Sequence, residues 1–418
     1  MSIQRYLMGM RDCPCGREHS CDIRHVVIGE GALERLPEIC APFERILLVA
    51  DGNTYPLCGD RVKAFLGDKL TSERIFGRAT VIPNEDAVAA IKESMTERTD
   101  LILGIGSGVI NDLCKHVSFQ MGIRYCIVAT APSMDGYASV GAALILKQTK
   151  VTVDARVPYA IVAESNILRT APQELIQSGY GDIVGKYSCL NDWRLARLLR
   201  GEYFCEFVYS TVLEAVKRTE GRAEALLSRE PVAIKELMEA LVLVGVMMSY
   251  VGNSRPASGS EHHLSHFFEV TGLLGGTPYY PHGIDVLYSA AVTARLREAL
   301  LAMRPPFLPY THDQTRYELK MREIYGSAAS EIVTLQQKAG LYQAIDTKSL
   351  EAKWEDVRAV LSEAPDYEAM VSYVNAIGLD METFRAFYGE KTIKNAVFYG
   401  KDLKDRYTVL WLFYVLAC

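Results

Sequence analysis

Excess positive charge is absent from this chain: 45 Lys and Arg stand against 51 Asp and Glu, giving a net charge of -6 and a pI near 5.9. Nucleic acids and anionic membrane surfaces recruit the opposite balance, so neither is expected as a main partner. Long apolar runs are missing as well. The two longest, Ala240 to Met248 and Val409 to Cys418, fall well short of the roughly 20 residues a membrane helix needs. The N-terminus shows no positive stretch leading into an apolar segment and a cleavage site, so a cytoplasmic protein is expected. Paired cysteine spacing is lacking too. Ten cysteines are scattered along the chain, which fits reduced thiols rather than a disulfide framework. There is no internal repeat, low-complexity tract or Gly/Ser linker. With 418 residues, two closely packed domains with a cleft between them are expected.

What is present changes character once along the chain. Short apolar runs at Arg24 to Ile28, Arg45 to Ala50, Ala79 to Ile82, Leu101 to Ile105 and Tyr125 to Ala129 read as strands. Gly31 to Leu36, Asp86 to Glu97 and Val109 to Gln120 carry helical periodicity between them. That alternation predicts βαβ units and a parallel sheet. A hairpin or short meander follows over Val140 to Ala163, around Lys147 to Lys150. From Pro172 onward the pattern is helical, with Thr170 placed to cap the first helix and Pro172 in its first turn. The expected division is an α/β domain over residues 1–170 and an all-helical domain over 171–418.

Four of the eight histidines fall within 21 residues, in Ser260-Glu-His-His-Leu-Ser-His266 and Pro281-His-Gly283. His262 and His266 are four apart and share one helix face, and His282 can return to it from the next segment. Imidazoles plus a carboxylate would hold a divalent cation with room for substrate, although histidines on half-buried helices also cluster by chance. A second soft-ligand group, Cys13-Pro-Cys15-Gly-Arg-Glu-His19-Ser-Cys21, matches no standard zinc finger and reads either as a small metal knot or as a tucked N-terminal loop.

Gly104, Gly106 and Gly108 sit in Leu-Gly-Ile-Gly-Ser-Gly-Val-Ile-Asn-Asp, between an apolar strand and a helix, where backbone N–H groups could face a pyrophosphate. The spacing is not the usual dinucleotide fingerprint, so a simple tight turn is the alternative. Asp51 ends the preceding buried strand as either a ribose ligand or a turn residue. The hydroxyl-rich loop Thr130-Ala-Pro-Ser133-Met-Asp135-Gly-Tyr-Ala-Ser139 leaves a strand's carboxyl end, where α/β sheets keep ligands. Asp182, in Ser178-Gly-Tyr-Gly-Asp, lies among small and apolar residues. It is either a third metal ligand or a surface carboxylate paired with Lys186.

These segments, in this order and spread over about residues 22 to 400, resemble the sn-glycerol-1-phosphate dehydrogenase family, related to glycerol dehydrogenases, iron-type alcohol dehydrogenases and dehydroquinate synthases. The resemblance implies a Rossmann-like domain followed by an all-α metal-binding domain. It also implies reduction of dihydroxyacetone phosphate to sn-glycerol 1-phosphate with NADH or NADPH, and a divalent metal: zinc, nickel in some bacterial members, or iron. By the same resemblance the metal ligands would be Asp182, His262 and His282. Gly106, Ser107, Gly108, Val109 and Asn111 would line the pyrophosphate, Asp51 the adenosine ribose, and Thr130, Ser133 and Ser139 other parts of the dinucleotide. Asp135 and His266 would contact substrate, with His266 a proton-relay candidate and His263 turned away. Lys186 stands where iron-type enzymes carry a fourth ligand, so three protein ligands are expected. Lys186 and Arg255 are the two candidate cations for a substrate phosphate. A small phosphorylated substrate and a homo-oligomer follow as expectations. The competing readings are a glycerol dehydrogenase, a dehydroquinate-synthase-like lyase with recycled NAD, and a non-catalytic metal and nucleotide binder.

Overall fold

The computed structural model describes residues 3–79, 81–146, 149–343 and 346–417. Its strands are β1 (His25–Gly29), β2 (Ile46–Asp51), β3 (Leu70–Phe76), β4 (Leu101–Gly106), β5 (Arg124–Ala129), β6 (Gly141–Leu146), β7 (Thr149–Asp154) and β8 (Ala160–Glu164). Six of them form a sheet in the order β1-β8-β5-β4-β2-β3, and every pairing in it is parallel. β6 and β7 pair separately as an antiparallel hairpin. The residues joining that hairpin, 147–148, lie outside the described set.

The near-continuous apolar runs of β4 and β8 are buried at every position, as expected for strands covered on both faces. β3 differs. Its sequence Leu-Thr-Ser-Glu-Arg-Ile-Phe is half-exposed because it forms the sheet edge, where Glu73 pairs with Lys63 at 2.6 Å. The strand expected at Ala79 to Ile82 is therefore corrected: Ala79 and 81–82 lie in no strand, Thr80 is outside the described residues, and the sheet takes the polar run before them.

From β2 the chain moves to β3 on one side, then returns past β2 to β4 and β5 on the other. The winding reverses between β2 and β4. The carboxyl ends of these two strands are Asp51 and Gly106, so the glycine turn and the strand-end aspartate flank the position where doubly wound sheets bind nucleotides. Thr54 Oγ1 ties the two strand ends together by donating to the Ile105 carbonyl at 2.8 Å.

After β8 the described chain is helical. Thr170 does not play the expected capping part; its hydroxyl donates backwards to the Ile167 carbonyl at 2.7 Å, and the next helix spans Gln173–Val184. The chain separates into two compact units, Met1–Ile183 with Lys217–Ser254, and Val184–Val216 with Arg255–Cys418. The long apolar helix Pro231–Val251 thus belongs to the unit that carries the sheet. Among the described residues no helix is long and apolar enough to cross a membrane.

Candidate active site

The loop leaving β5 owes its shape to two glycines on other elements. A Cβ added at Gly179, in the helix Gln173–Val184, would lie 1.8 Å from the Pro132 carbonyl oxygen. One at Gly245, in Pro231–Val251, would lie 2.7 Å from both Ala138 Cβ and the Asp135 carbonyl oxygen. The two helices therefore touch the loop backbone directly. Ser178 Oγ donates to the Ser133 carbonyl at 3.0 Å, Tyr137 Oη to the Ala131 carbonyl at 2.7 Å, and Ser249 Oγ to the Ala138 carbonyl at 3.0 Å. Thr130 is joined to the glycine turn through its N–H, which donates to the Gly106 carbonyl at 3.1 Å.

The loop's last expected cofactor residue lies beside a buried lysine. Ser139 belongs to a network around Lys115, whose buried ammonium donates to the Gly136 carbonyl (2.6 Å), Ser139 Oγ (3.1 Å) and the Gly141 carbonyl (3.0 Å). Burial lowers the Lys115 pKa, while Asp112 and Asp135 favour its charged form. In sequence Lys115 looks like any polar residue on a helix.

The glycine turn runs from β4 through Ser107 into the helix Gly108–Met121. A Cβ at Gly106 would stand 2.5 Å from Ile110 Cβ, and one at Gly108 would stand 3.0 Å from Met134 Sδ. Bare backbone is required at Gly106, where the β-branched Ile110 stands fixed on the helix, whereas at Gly108 the flexible Met134 side chain need give only slightly. Ser107, Gly108 and Val109 are half-buried and Asn111 is fully buried, with its Nδ2 donating to Asp112 Oδ1 at 2.9 Å and its Oδ1 lacking a partner among the described residues. A helix N-terminus that opens directly from a glycine turn at a strand end fits a pyrophosphate. Asp51 Oδ1 accepts from the Asn53 and Thr54 N–H groups at 2.8 and 2.9 Å, an Asx-type turn made through one carboxylate oxygen.

Asp182, His262 and His282 each offer one ligand atom, and the three atoms lie within 4.8 Å of one another. Asp182 is fully buried, and its Oδ2 accepts the Asp135 N–H at 2.9 Å. The surface-carboxylate reading of Asp182 does not hold. His262 and His266 lie on the helix Ser260–Gly275, and His282 opens the helix His282–Ala302. The three imidazoles converge, with ring centroids 5.0 Å apart for His262 and His282, 5.5 Å for His266 and His282, and 6.0 Å for His262 and His266.

Ring tautomers are set from behind. His262 Nδ1 lies 2.7 Å from Glu261 Oε1, which also accepts the Gly259 N–H at 2.9 Å. A carboxylate there places the proton on Nδ1 and leaves Nε2 as the donor atom toward a cation. His282 Nδ1 lies 3.4 Å from Ser265 Oγ. Glu261 is itself fully buried; burial raises its pKa and the nearby Lys186 opposes that shift. Sequence reading missed it, although its place beside His262 was the available signal. Glu261→Gln should weaken metal affinity roughly 10- to 100-fold while leaving the fold intact, measured by competition with a chelator. Unchanged affinity would show that Glu261 does not orient the imidazole.

His263 is absent from the converging metal group. It is fully buried, neither ring nitrogen has a partner among the described residues, and burial, with Lys404, Arg406 and Arg255 nearby, holds its pKa far below the usual histidine value. Lys186 is fully buried. Arg255 is committed elsewhere: it forms a two-pronged pair with Glu202 at 2.6 and 2.8 Å and donates to the Tyr407 carbonyl at 2.7 Å.

Residues 27–172 match the family profile described as iron-containing alcohol dehydrogenase. The chain is 34% identical over 300 residues to the Bacillus velezensis glycerol-1-phosphate dehydrogenase [NAD(P)+], covering 68% of this chain and 75% of that one. It belongs to the glycerol-1-phosphate dehydrogenase family. A Bacillus licheniformis protein of the same name is 29% identical over 406 residues, 95% of this chain and 90% of that one. Among solved structures, an archaeal halo-thermophilic Red Sea brine pool alcohol dehydrogenase superposes with a TM-score of 0.62 at 13% identity, covering 95% of this chain and 97% of that one. At that identity the likeness concerns the fold alone.

Proposed function

We infer that this chain is an NAD(P)-dependent, metal-dependent glycerol-1-phosphate dehydrogenase, interconverting dihydroxyacetone phosphate and sn-glycerol 1-phosphate. The observation that carries this reading is the convergence of Asp182, His262 and His282 within 4.8 Å in a chain of this family. Two imidazoles and one carboxylate suit zinc, nickel or iron(II) and leave positions open for a substrate oxygen. When bound, the nicotinamide supplies hydride and the cation polarises the C2 carbonyl.

The protein's own residues do the rest. Asp182, His262 and His282 hold the cation. Ser107, Gly108 and Val109 present N–H groups to the pyrophosphate beside Gly106 and Asn111, Asp51 takes the ribose through Oδ2, and Thr130 and Ser133 line the dinucleotide. Asp135 and His266 face the substrate, with His266 passing the proton to the C2 oxygen. Of the two cations considered for the phosphate, Lys186 is favoured because Arg255 already pairs with Glu202.

The relatives' shared name favours this reading over a glycerol dehydrogenase or a lyase with recycled NAD. We place the enzyme in the cytoplasm as a homo-oligomer, which fractionation and light scattering check. In a steady-state assay with either nicotinamide cofactor, dihydroxyacetone phosphate should be reduced with lasting loss of NAD(P)H absorbance and in preference to dihydroxyacetone. A preference for unphosphorylated glycerol would overturn the substrate assignment, and no net cofactor consumption would favour the lyase.

A further inference from the structure

The N-terminal loop carries a second constellation that hydride transfer does not use. Cys13, Cys15, His19 and Cys205 each offer a ligand atom, and all four atoms lie within 4.8 Å of one another. Cys13, His19 and Cys205 are buried and Cys15 is half-buried. We propose that these four side chains hold a second divalent metal, a structural zinc.

The loop is built to present them. Gly16 adopts φ +82°, a left-handed conformation, and its N–H donates to the Cys13 carbonyl at 3.0 Å, turning Cys13 and Cys15 inward. Met10 and His19 close the loop by exchanging two backbone hydrogen bonds of 2.9 and 2.8 Å. The decisive detail is the His19 ring. Its Nδ1 lies 2.8 Å from the Tyr250 carbonyl, which can only accept, so Nδ1 carries the proton and Nε2 carries the lone pair. That Nε2 faces Cys15 Sγ at 3.4 Å, and the His19 ring stacks on Tyr250 at 5.1 Å between centroids. Zn–S bonds of about 2.3 Å and Zn–N bonds of about 2.0 Å in a tetrahedron give an S···N edge of about 3.5 Å.

Cys205 supplies the fourth donor from the start of the helix Glu206–Thr219, where its carbonyl accepts the Tyr209 N–H at 3.0 Å; a helix N-terminus favours the thiolate. Three thiolates and one imidazole form a closed, soft set with no open position, which selects zinc and fits a structural rather than catalytic role. Cys21 is not part of it: the four ligand atoms that converge come from Cys13, Cys15, His19 and Cys205. The sequence motif pointed to this loop but named Cys21 as a member, because Cys205 is distant in the chain.

The full-length protein, reconstituted with zinc and then dialysed, should hold two metal equivalents per chain by elemental analysis. His282→Ala should retain one zinc and Cys205→Ser should lose one. Cobalt substitution should give thiolate-to-cobalt charge-transfer absorption that persists in His282→Ala and disappears in Cys205→Ser. Should Cys205→Ser fail to fold, p-hydroxymercuribenzoate added to the intact protein should release one zinc, read with a colorimetric chelator. A His282→Ala protein that folds but holds no metal and gives no charge-transfer absorption overturns the proposal. Its failure would leave the dehydrogenase reading untouched, since that rests on other ligands.

Discussion

His262→Ala combined with His282→Ala should abolish metal binding at the catalytic centre and lower kcat/KM for dihydroxyacetone phosphate by about 10³-fold or more. Lewis-acid polarisation of a carbonyl is worth several kcal/mol, and each 1.36 kcal/mol is about tenfold in rate. Asp182 would be left buried without the two imidazole donors, its Oδ2 still accepting the Asp135 N–H. A lone carboxylate in that position binds cations weakly. NADH binding, followed by fluorescence, should persist because the glycine turn lies on β4 and its following helix. Turnover close to that of the parent protein would remove the metal from the mechanism.

Gly179→Ala should be nearly as damaging to activity without removing any chemical group. The added Cβ would sit 1.8 Å from the Pro132 oxygen, and a backbone carbonyl cannot swing aside as a side chain does. Either the helix Gln173–Val184 or the loop after β5 must shift. Overpacking of this kind costs about 1–3 kcal/mol, a fall in Tm on the order of 2–4 °C for each kcal/mol in a domain of this size. Asp182 lies three residues on in the same helix, so the displacement reaches the metal ligand, and a misplacement of about 1 Å can cost roughly 10²-fold in rate. Gly221→Ala is the control, having nothing within 4 Å of the added Cβ. Equal activity and Tm for the two variants would show that the close approach does not position the site.

The legible parts of this molecule are those in which a local pattern carries the physics. β2, β4 and β5 announce themselves as apolar runs because both their faces are covered. The histidine spacing shows because helix geometry stacks residues four apart. β3 was hidden by being an edge, where Glu73 and Arg74 are compatible with solvent. Lys115 and Glu261 were hidden because a charged residue on a helix is usually solvated, and only the folded surroundings reveal it as buried. Ser139 and Arg255 could be recognised as polar and well placed, but not as already committed to Lys115 and Glu202. Gly179 and Gly245 read as ordinary helix residues until the backbone they touch is known.

The 2.9 Å bond from the Asp135 N–H to Asp182 Oδ2 joins the strand-end loop to a metal ligand with no intervening side chain. On the proposed reading, a shift of the loop backbone at Asp135 reaches the ligand carboxylate through this one bond, so a cofactor that favours one position of the loop also favours one position of Asp182, and the preference is reciprocal.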